Sequence, residues 1–225
     1  MTARPRLVLF DFDGTLVDSQ RSIVDAFAAA CREHDLRDID PRAIRRFIGL
    51  PLAIAIAECV PQCHRERAPA LAESYKQAHR GLAARSPDHD PLFPGAAAAL
   101  HVLNGAGALL GIATGKGRRG LTATLEKHGL TEHFAVLRTA DDGPGKPDPF
   151  MALSALEATG VERADAVMVG DTAFDMQMAR SAGISAIGVG WGYHGEDELA
   201  AAGAEAVVPS FDVLLATLRA RGFPA

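Results

Sequence analysis

The residues best suited to chemistry stand near the start of the chain, where Leu7-Val8-Leu9-Phe10 delivers Asp11-Phe12-Asp13-Gly14-Thr15. Four consecutive apolar residues closed by a Gly turn predict a strand covered on both faces. In open α/β sheets, ligands collect beyond the carboxyl ends of such strands. Asp11 and Asp13 are two apart, which on a regular strand sends both side chains to one face, and carboxylates that close need a shared proton or a cation. Mg²⁺ is the simpler choice, because it takes oxygen ligands and usually shares them with a substrate phosphate. The plainer alternatives are a surface turn and a fragment of a calcium loop. An EF-hand loop opening at Asp11 needs Gly at its sixth position and Glu at its twelfth, where this chain has Leu16 and Ser22.

Further polar clusters fall in the same setting. Thr114-Gly115-Lys116 follows an apolar run ending at Ala113, Gly170-Asp171 follows one ending at Val169, and Lys146-Pro147-Asp148-Pro149 precedes a helix. In a parallel sheet these strand ends share one rim, so a hydroxyl, backbone N–H groups, a lysine and several carboxylates converge there. Phosphoryl transfer asks for such a set: a metal to neutralise charge, donors for the non-bridging oxygens, and a nucleophile, for which Asp11 is the candidate. Lys146, held between Gly145 and Pro147, is favoured as functional, whereas Lys116 reads equally well as a solvated surface lysine. Arg118-Arg119 reads as a solvated helix start, and His194 is the one histidine of eight to watch.

Several look-alikes fail on spacing. Gly111-Ile112-Ala113-Thr114-Gly115-Lys116 has too few residues between its glycines for a Walker A loop and ends on Gly117 where a metal-binding hydroxyl belongs. Gly188-Val189-Gly190-Trp191-Gly192 lacks the glycine spacing and acidic partner of a dinucleotide fingerprint and reads as a flexible loop. Cys59, Cys63 and His64 offer no obvious fourth metal ligand.

The elements that must position these residues follow from periodicity. After Val17, Ile23, Val24, Phe27 and Cys31 recur at helical spacing, and the sequence stays helix-like to about Arg85, with breaks near Asp40-Pro41, Gly49-Leu50-Pro51 and Pro61. A turn-rich linker, Ser86 to Gly95, leads out of it. Strands are then expected at Ala108 to Ala113, Phe134 to Leu137, Ala166 to Val169, Ile184 to Val189 and Ala206 to Val208. They alternate with helices at Ala96 to Leu103, Arg118 to His128, Pro149 to Thr159, Ala173 to Ala182 and Phe211 to Arg219. The expected fold is therefore α/β: a Rossmann-like parallel sheet core formed by 1–17 and 95–225, carrying a small all-helical cap of 18–94.

Composition narrows the class. The chain has 225 residues, 48% hydrophobic and 23% charged, with a net charge of -5. That balance offers no general attraction for nucleic acid or an anionic membrane, so any phosphate site must be local. Too few residues precede the first strand for a signal peptide, no apolar run reaches membrane-spanning length, and the cysteine count of 3 is odd. A cytoplasmic protein without a disulfide framework is the expectation, with oligomeric state left open.

Taken together, the chain resembles the haloacid dehalogenase superfamily, in its phosphoglycolate-phosphatase-like branch. Asp11-Phe12-Asp13-Gly14-Thr15-Leu16 is similar to the first motif of that family, Thr114 to the second, Lys146-Pro147 to the third, and Gly170-Asp171 with Asp175 to the fourth. A helical cap just after the first strand, returning through Phe93-Pro94-Gly95, completes the likeness. The resemblance implies Asp11 as nucleophile and Mg²⁺ ligand. It implies Asp13 as proton donor and later base, with its main-chain carbonyl on the metal. It further implies Thr114, the Gly115 N–H and Lys146 as phosphoryl holders, Asp171 as metal ligand and Asp175 as its support. Asp13 argues against a dehalogenase, which has no leaving alcohol to protonate. Arg45, Arg46 and Gly49 resemble the cap segment that turns toward the substrate. Leu50, Pro51 and Leu52 stand where β-phosphoglucomutases place an arginine, which disfavours a mutase. The implied activity is a Mg²⁺-dependent phosphatase of a small phosphorylated metabolite, 2-phosphoglycolate first. Pyrophosphate, sugar or nucleoside monophosphates, a mutase and a non-catalytic binding protein stand behind it.

Overall fold

A computed structural model describes residues 5–86 and 88–225. Met1 to Arg4, ahead of the first strand, and Pro87, in the return linker, lie outside the described residues. The centre of the molecule is β1 (Leu7–Phe10), in a six-stranded sheet with β2 (Leu109–Ala113), β3 (Val136–Arg138), β4 (Ala166–Gly170), β5 (Ser185–Val189) and β6 (Ala206–Val208). The strand order is β3-β2-β1-β4-β5-β6, and every neighbouring pair is parallel.

The unbroken apolar run of β1 has a direct cause in packing. Val8 and Phe10 point into one core with Leu100, Leu121 and Leu214, from α4 (Ala96–Gly105), α5 (Arg118–Lys127) and α9 (Phe211–Ala220). Leu7 and Leu9 point into a second core with Met151 and Met176, from α6 (Phe150–Thr159) and α7 (Ala173–Ala182). All four side chains of the strand are fully buried. Burying each stabilises the fold by roughly 1.5–3 kcal/mol.

The helical stretch forms its own core. Here α1 (Gln20–Glu33), α2 (Leu52–Cys59) and α3 (Ala68–Arg85) enclose Phe27, Ile44, Ile56 and Leu71. Two of the expected breaks, at Pro41 and Pro61, open short 3₁₀ turns, Pro41–Phe47 and Gln62–Arg67. The two connections to the sheet run side by side. Val17 bridges Leu92, the Asp18 N–H donates to Pro91 O at 2.8 Å, and the Phe93 N–H donates to Leu16 O at 3.0 Å.

Differences from the sequence reading are local. The strands expected from Ala108, Phe134 and Ile184 begin at Leu109, Val136 and Ser185, where ladder pairing starts. One helix, α8 (Glu196–Ala202), escaped the reading because its seven residues bury only Leu199 and Ala202, too few to show a period. Cys31, Cys59 and Cys63 are free. Among the described residues no helix is long and apolar enough to cross a membrane.

Candidate active site

The carboxyl rim of the sheet gathers polar side chains that are almost wholly buried. Asp11 follows β1 directly and is tied to β4 by its N–H, which donates to Val169 O at 2.9 Å. Its Oδ1 lies 2.7 Å from Lys146 Nζ, and the same ammonium lies 2.6 Å from Asp175 Oδ1. Lys146 arrives on the loop between β3 and α6, and its side chain has no solvent exposure. An ammonium between two carboxylates keeps its proton, and although burial works against the charge, Asp11 and Asp175 hold Lys146 above its ordinary value.

Asp175 is positioned by the start of α7. Thr172 precedes that helix, and both its N–H and its hydroxyl donate to Asp175 Oδ2, at 3.0 and 2.6 Å. This is a capping box in which the acid also faces the site. Asp171 lies just after β4, where its Oδ1 accepts from Thr15 Oγ1 at 2.8 Å and its Oδ2 from the Tyr193 N–H at 3.0 Å. Gly14 packs against it with φ of +92°, and a Cβ there would collide with Asp171 and Tyr193, so both conformation and space require glycine.

Asp13 sits apart from this trio. Its carboxylate is held by Lys116 Nζ at 3.0 and 3.2 Å, with the lysine side chain 12% exposed. Burial pushes the Asp13 carboxyl up, but the Lys116 charge, with help from the Ser19 hydroxyl, outweighs it and leaves the group below its usual range. Lys116, read as equally well a surface lysine, is a member of the site. Thr114 is buried beside it, its Oγ1 accepting from the Lys116 N–H at 3.1 Å.

The donor set fits a divalent cation. Asp11, Asp171 and Asp175 offer oxygens within 4.8 Å of one another. With Asp13, four buried carboxylates face two ammonium groups, an excess of two negative charges. Neither Asp11 oxygen accepts a hydrogen bond in normal geometry. Burial, reinforced by Asp175 and opposed by Lys146, pushes Asp11 up to about 7. Asp171 is likewise driven well above the carboxylate range by burial and by Asp11 and Asp175. A hard dication supplies the charge these oxygens lack.

Above the rim, the segment after the first 3₁₀ turn meets the loops that follow β2 and β3, through two carbonyls and a proline ring. A Cβ on Gly115 would lie 2.5 Å from the carbonyl oxygens of Gly49 and Leu50, and one on Gly145 would collide with the Pro51 ring. Of the cap candidates, Gly49 is therefore at the interface, against Gly115 and Thr172. Arg45 and Arg46 are exposed, and Arg46 reaches the core through its carbonyl. His194 makes that contact. Its Nδ1 accepts from the Ala173 N–H at 3.2 Å, which leaves Nε2 to carry the proton donated to Arg46 O, also 3.2 Å away.

Sequence reasoning missed several participants. Trp191 Nε1 donates to Thr15 O at 3.0 Å and Tyr193 holds Asp171, so the loop read only as flexible orders the rim. Its signal was backbone N–H geometry, invisible in residue types. Arg118, read as solvated, is half-exposed and pairs with Asp142 at 2.6 Å. His79 and His89, passed over among the histidines, meet Asp90 where α3 packs against the linker.

Comparison with known proteins follows the same lines. The family described as haloacid dehalogenase-like hydrolase matches residues 8–189. A protein named "Probable phosphatase IndB" from Dickeya dadantii is 39% identical over 217 residues, covering 95% of this chain and 94% of that protein. A phosphoglycolate phosphatase from Rhodospirillum rubrum is 35% identical over 215 residues, covering 92% and 88%. The crystal structure of a hydrolase from Pseudomonas syringae superposes with a TM-score of 0.84 at 28% identity, over 96% of this chain and 98% of that one.

Proposed function

The chain belongs to the haloacid dehalogenase-like hydrolases, as a phosphatase, and from that premise we propose that it hydrolyses a small phosphorylated metabolite, 2-phosphoglycolate first, through an aspartyl-phosphate on Asp11. The observation that carries the mechanism is Asp11 itself: a buried carboxylate beside Lys146, its oxygens free of hydrogen bonds in normal geometry. In this reading Asp11, Asp171 and the main-chain carbonyl of Asp13 hold Mg²⁺, with Asp175 in support. Bound there, Mg²⁺ offsets the charge of the phosphoryl oxygens and keeps Asp11 ionised.

The chain's own groups then divide the work. Thr114, the Gly115 N–H and Lys146 receive the non-bridging oxygens. An Asp11 oxygen bonds to phosphorus as the ester P–O bond breaks, and a proton from Asp13 goes to the leaving oxygen. In the second half water attacks phosphorus, its proton passes to Asp13, and the Asp11–phosphorus bond breaks to release inorganic phosphate. Paired with Lys116, Asp13 rests as a carboxylate, ready for this second half. A dianionic ester arriving beside it disfavours that charge and draws the group toward the protonated form the first half needs.

The tight approach of Gly49 and Leu50 to Gly115 supports a substrate with little bulk beyond its phosphate. In this proposal 18–94 is a cap that hinges on the paired linkers and closes to exclude water. The three free cysteines support a cytoplasmic setting.

The test is phosphate release from a panel of phosphorylated metabolites, pyrophosphate and sugar and nucleoside monophosphates included, with Mg²⁺ and with chelator. Metal-dependent release concentrated on 2-phosphoglycolate is expected. Release concentrated on another compound would replace the substrate, and no release from folded protein would favour a mutase or a binding role.

A further inference from the structure

Where the cap returns to the sheet, a second group of metal-capable side chains lies outside the rim trio. His79 comes from α3, and His89 and Asp90 come from the linker. His89 Nε2 lies 2.9 Å and His79 Nε2 3.6 Å from Asp90 Oδ2, and the ligand atoms of all three fall within 4.8 Å of one another. A tetrahedral ion with bonds of about 2.1 Å needs donors spaced roughly 3.4 Å apart, and the two measured separations straddle that value.

The state of Asp90 points to an ion rather than to a closed hydrogen-bond network. Asp90 is 3% exposed, yet its Oδ2 has no hydrogen-bond partner in normal geometry, the short approach of His89 included. The other oxygen is committed, since Ser22 Oγ donates to Oδ1. The carboxylate therefore turns one unsatisfied oxygen toward two imidazoles. The histidine side chains are 17% and 10% exposed, which leaves a path for entry.

We propose that His79, His89 and Asp90 form a second cation site, selective for Zn²⁺ or a similar first-row transition ion, at the hinge of the cap. Two nitrogens and one carboxylate suit such an ion, whereas the all-oxygen rim suits Mg²⁺. Ser22 Oγ, 3.4 Å from His79 Nε2, or water completes the sphere. The ion joins a cap helix to the return linker. That linker is itself fastened to the core, where His128 Nε2 lies 2.8 Å from Asp90 O and Lys127 Nζ donates to His89 O. Binding clamps the cap at its pivot, whichever phosphate ester the rim receives.

The experiment is calorimetric titration with Zn²⁺ in excess Mg²⁺, paired with Co²⁺ titration read by visible absorption. Wild type, His79→Gln, His89→Gln and Asp171→Asn are compared, each checked for folding by circular dichroism. One equivalent is expected in wild type and in Asp171→Asn, weakened about a hundredfold or more in either histidine variant, beyond the loss typical of an altered outer-shell partner. If His89→Gln does not fold, His79→Gln decides. Retention of the equivalent in the folded histidine variants would overturn the site, as would its loss in Asp171→Asn, which would assign the binding to the rim.

Discussion

The rim of the sheet and the cap segment above it are built from opposite parts of the chain. At the rim the side chains carry the design: Asp11, Lys146, Asp171 and Asp175 are buried, and their partners lie within 3 Å. In the segment from Arg45 to Leu52 the charged side chains stand in solvent, and the contacts come from the Gly49, Leu50 and Arg46 carbonyls and the apolar Pro51 ring. Chemistry needs charges fixed before the substrate arrives, so the rim is preorganised where water cannot screen it. The closure proposed for 18–94 would need a surface that fits and can part again, which few polar bonds serve better than many. The difference separates what a substitution at each place should do.

The largest effect belongs to the rim. Asp11→Asn keeps the shape but replaces the carboxylate proposed to attack with a neutral amide, so turnover is expected to fall by on the order of 10⁴-fold or more, as when a nucleophile is deleted from a catalytic set. The fold should hold, because burial already disfavours the Asp11 charge. Steady-state rates with a melting curve check both halves. Undiminished turnover would end the covalent mechanism and with it the claim that the rim is where chemistry is fixed.

A smaller effect is expected where rim and cap touch. Gly115→Ala keeps the N–H that would face a phosphoryl oxygen but places a methyl 2.5 Å from the Gly49 and Leu50 carbonyls. The cap then cannot seat fully, and kcat/KM should drop by up to about a hundredfold, the scale of an ångström-sized misplacement. None of the three cores depends on that contact, so the melting temperature should barely move. Full activity in this variant would show that closure against Gly115 is dispensable, and the contrast between fixed rim and parting cap would lose its functional half.

That contrast also explains what could be read from the sequence. Strand ends announce themselves, because an apolar run must stop where the sheet stops, and Asp11, Thr114 and Asp171 each stand at such a stop. The α/β order and the helical stretch were legible for the same reason, periodicity imposed by burial. Residues that join the site through a long side chain or a backbone N–H left no such mark. Lys116 reaches Asp13 across 103 positions, and Tyr193 meets Asp171 with its main chain. The histidines near Asp90 come from a helix and a linker whose meeting depends on how α3 packs, which no local pattern encodes.

The smallest effect probes the cap without touching activity. Burial, with lesser pushes from Cys31 and Glu58, raises the Cys59 thiol to about 12, whereas Cys63 is exposed. Only the thiolate reacts, so at pH 8 a thiol reagent should label Cys63 first. Cys59 should lag by about one order of magnitude or more, since greater intrinsic nucleophilicity recovers only part of its deficit in thiolate. Raising the pH should close the gap, because Cys59 gains thiolate steadily toward pH 12. Mass spectrometry of timed samples reads both sites at once. Equal labelling at pH 8 would mean that the face of α2 around Cys59 opens on the reaction timescale. The cap would then be a loosely packed body, and its fit against Gly115 could not be the seal that the rim requires.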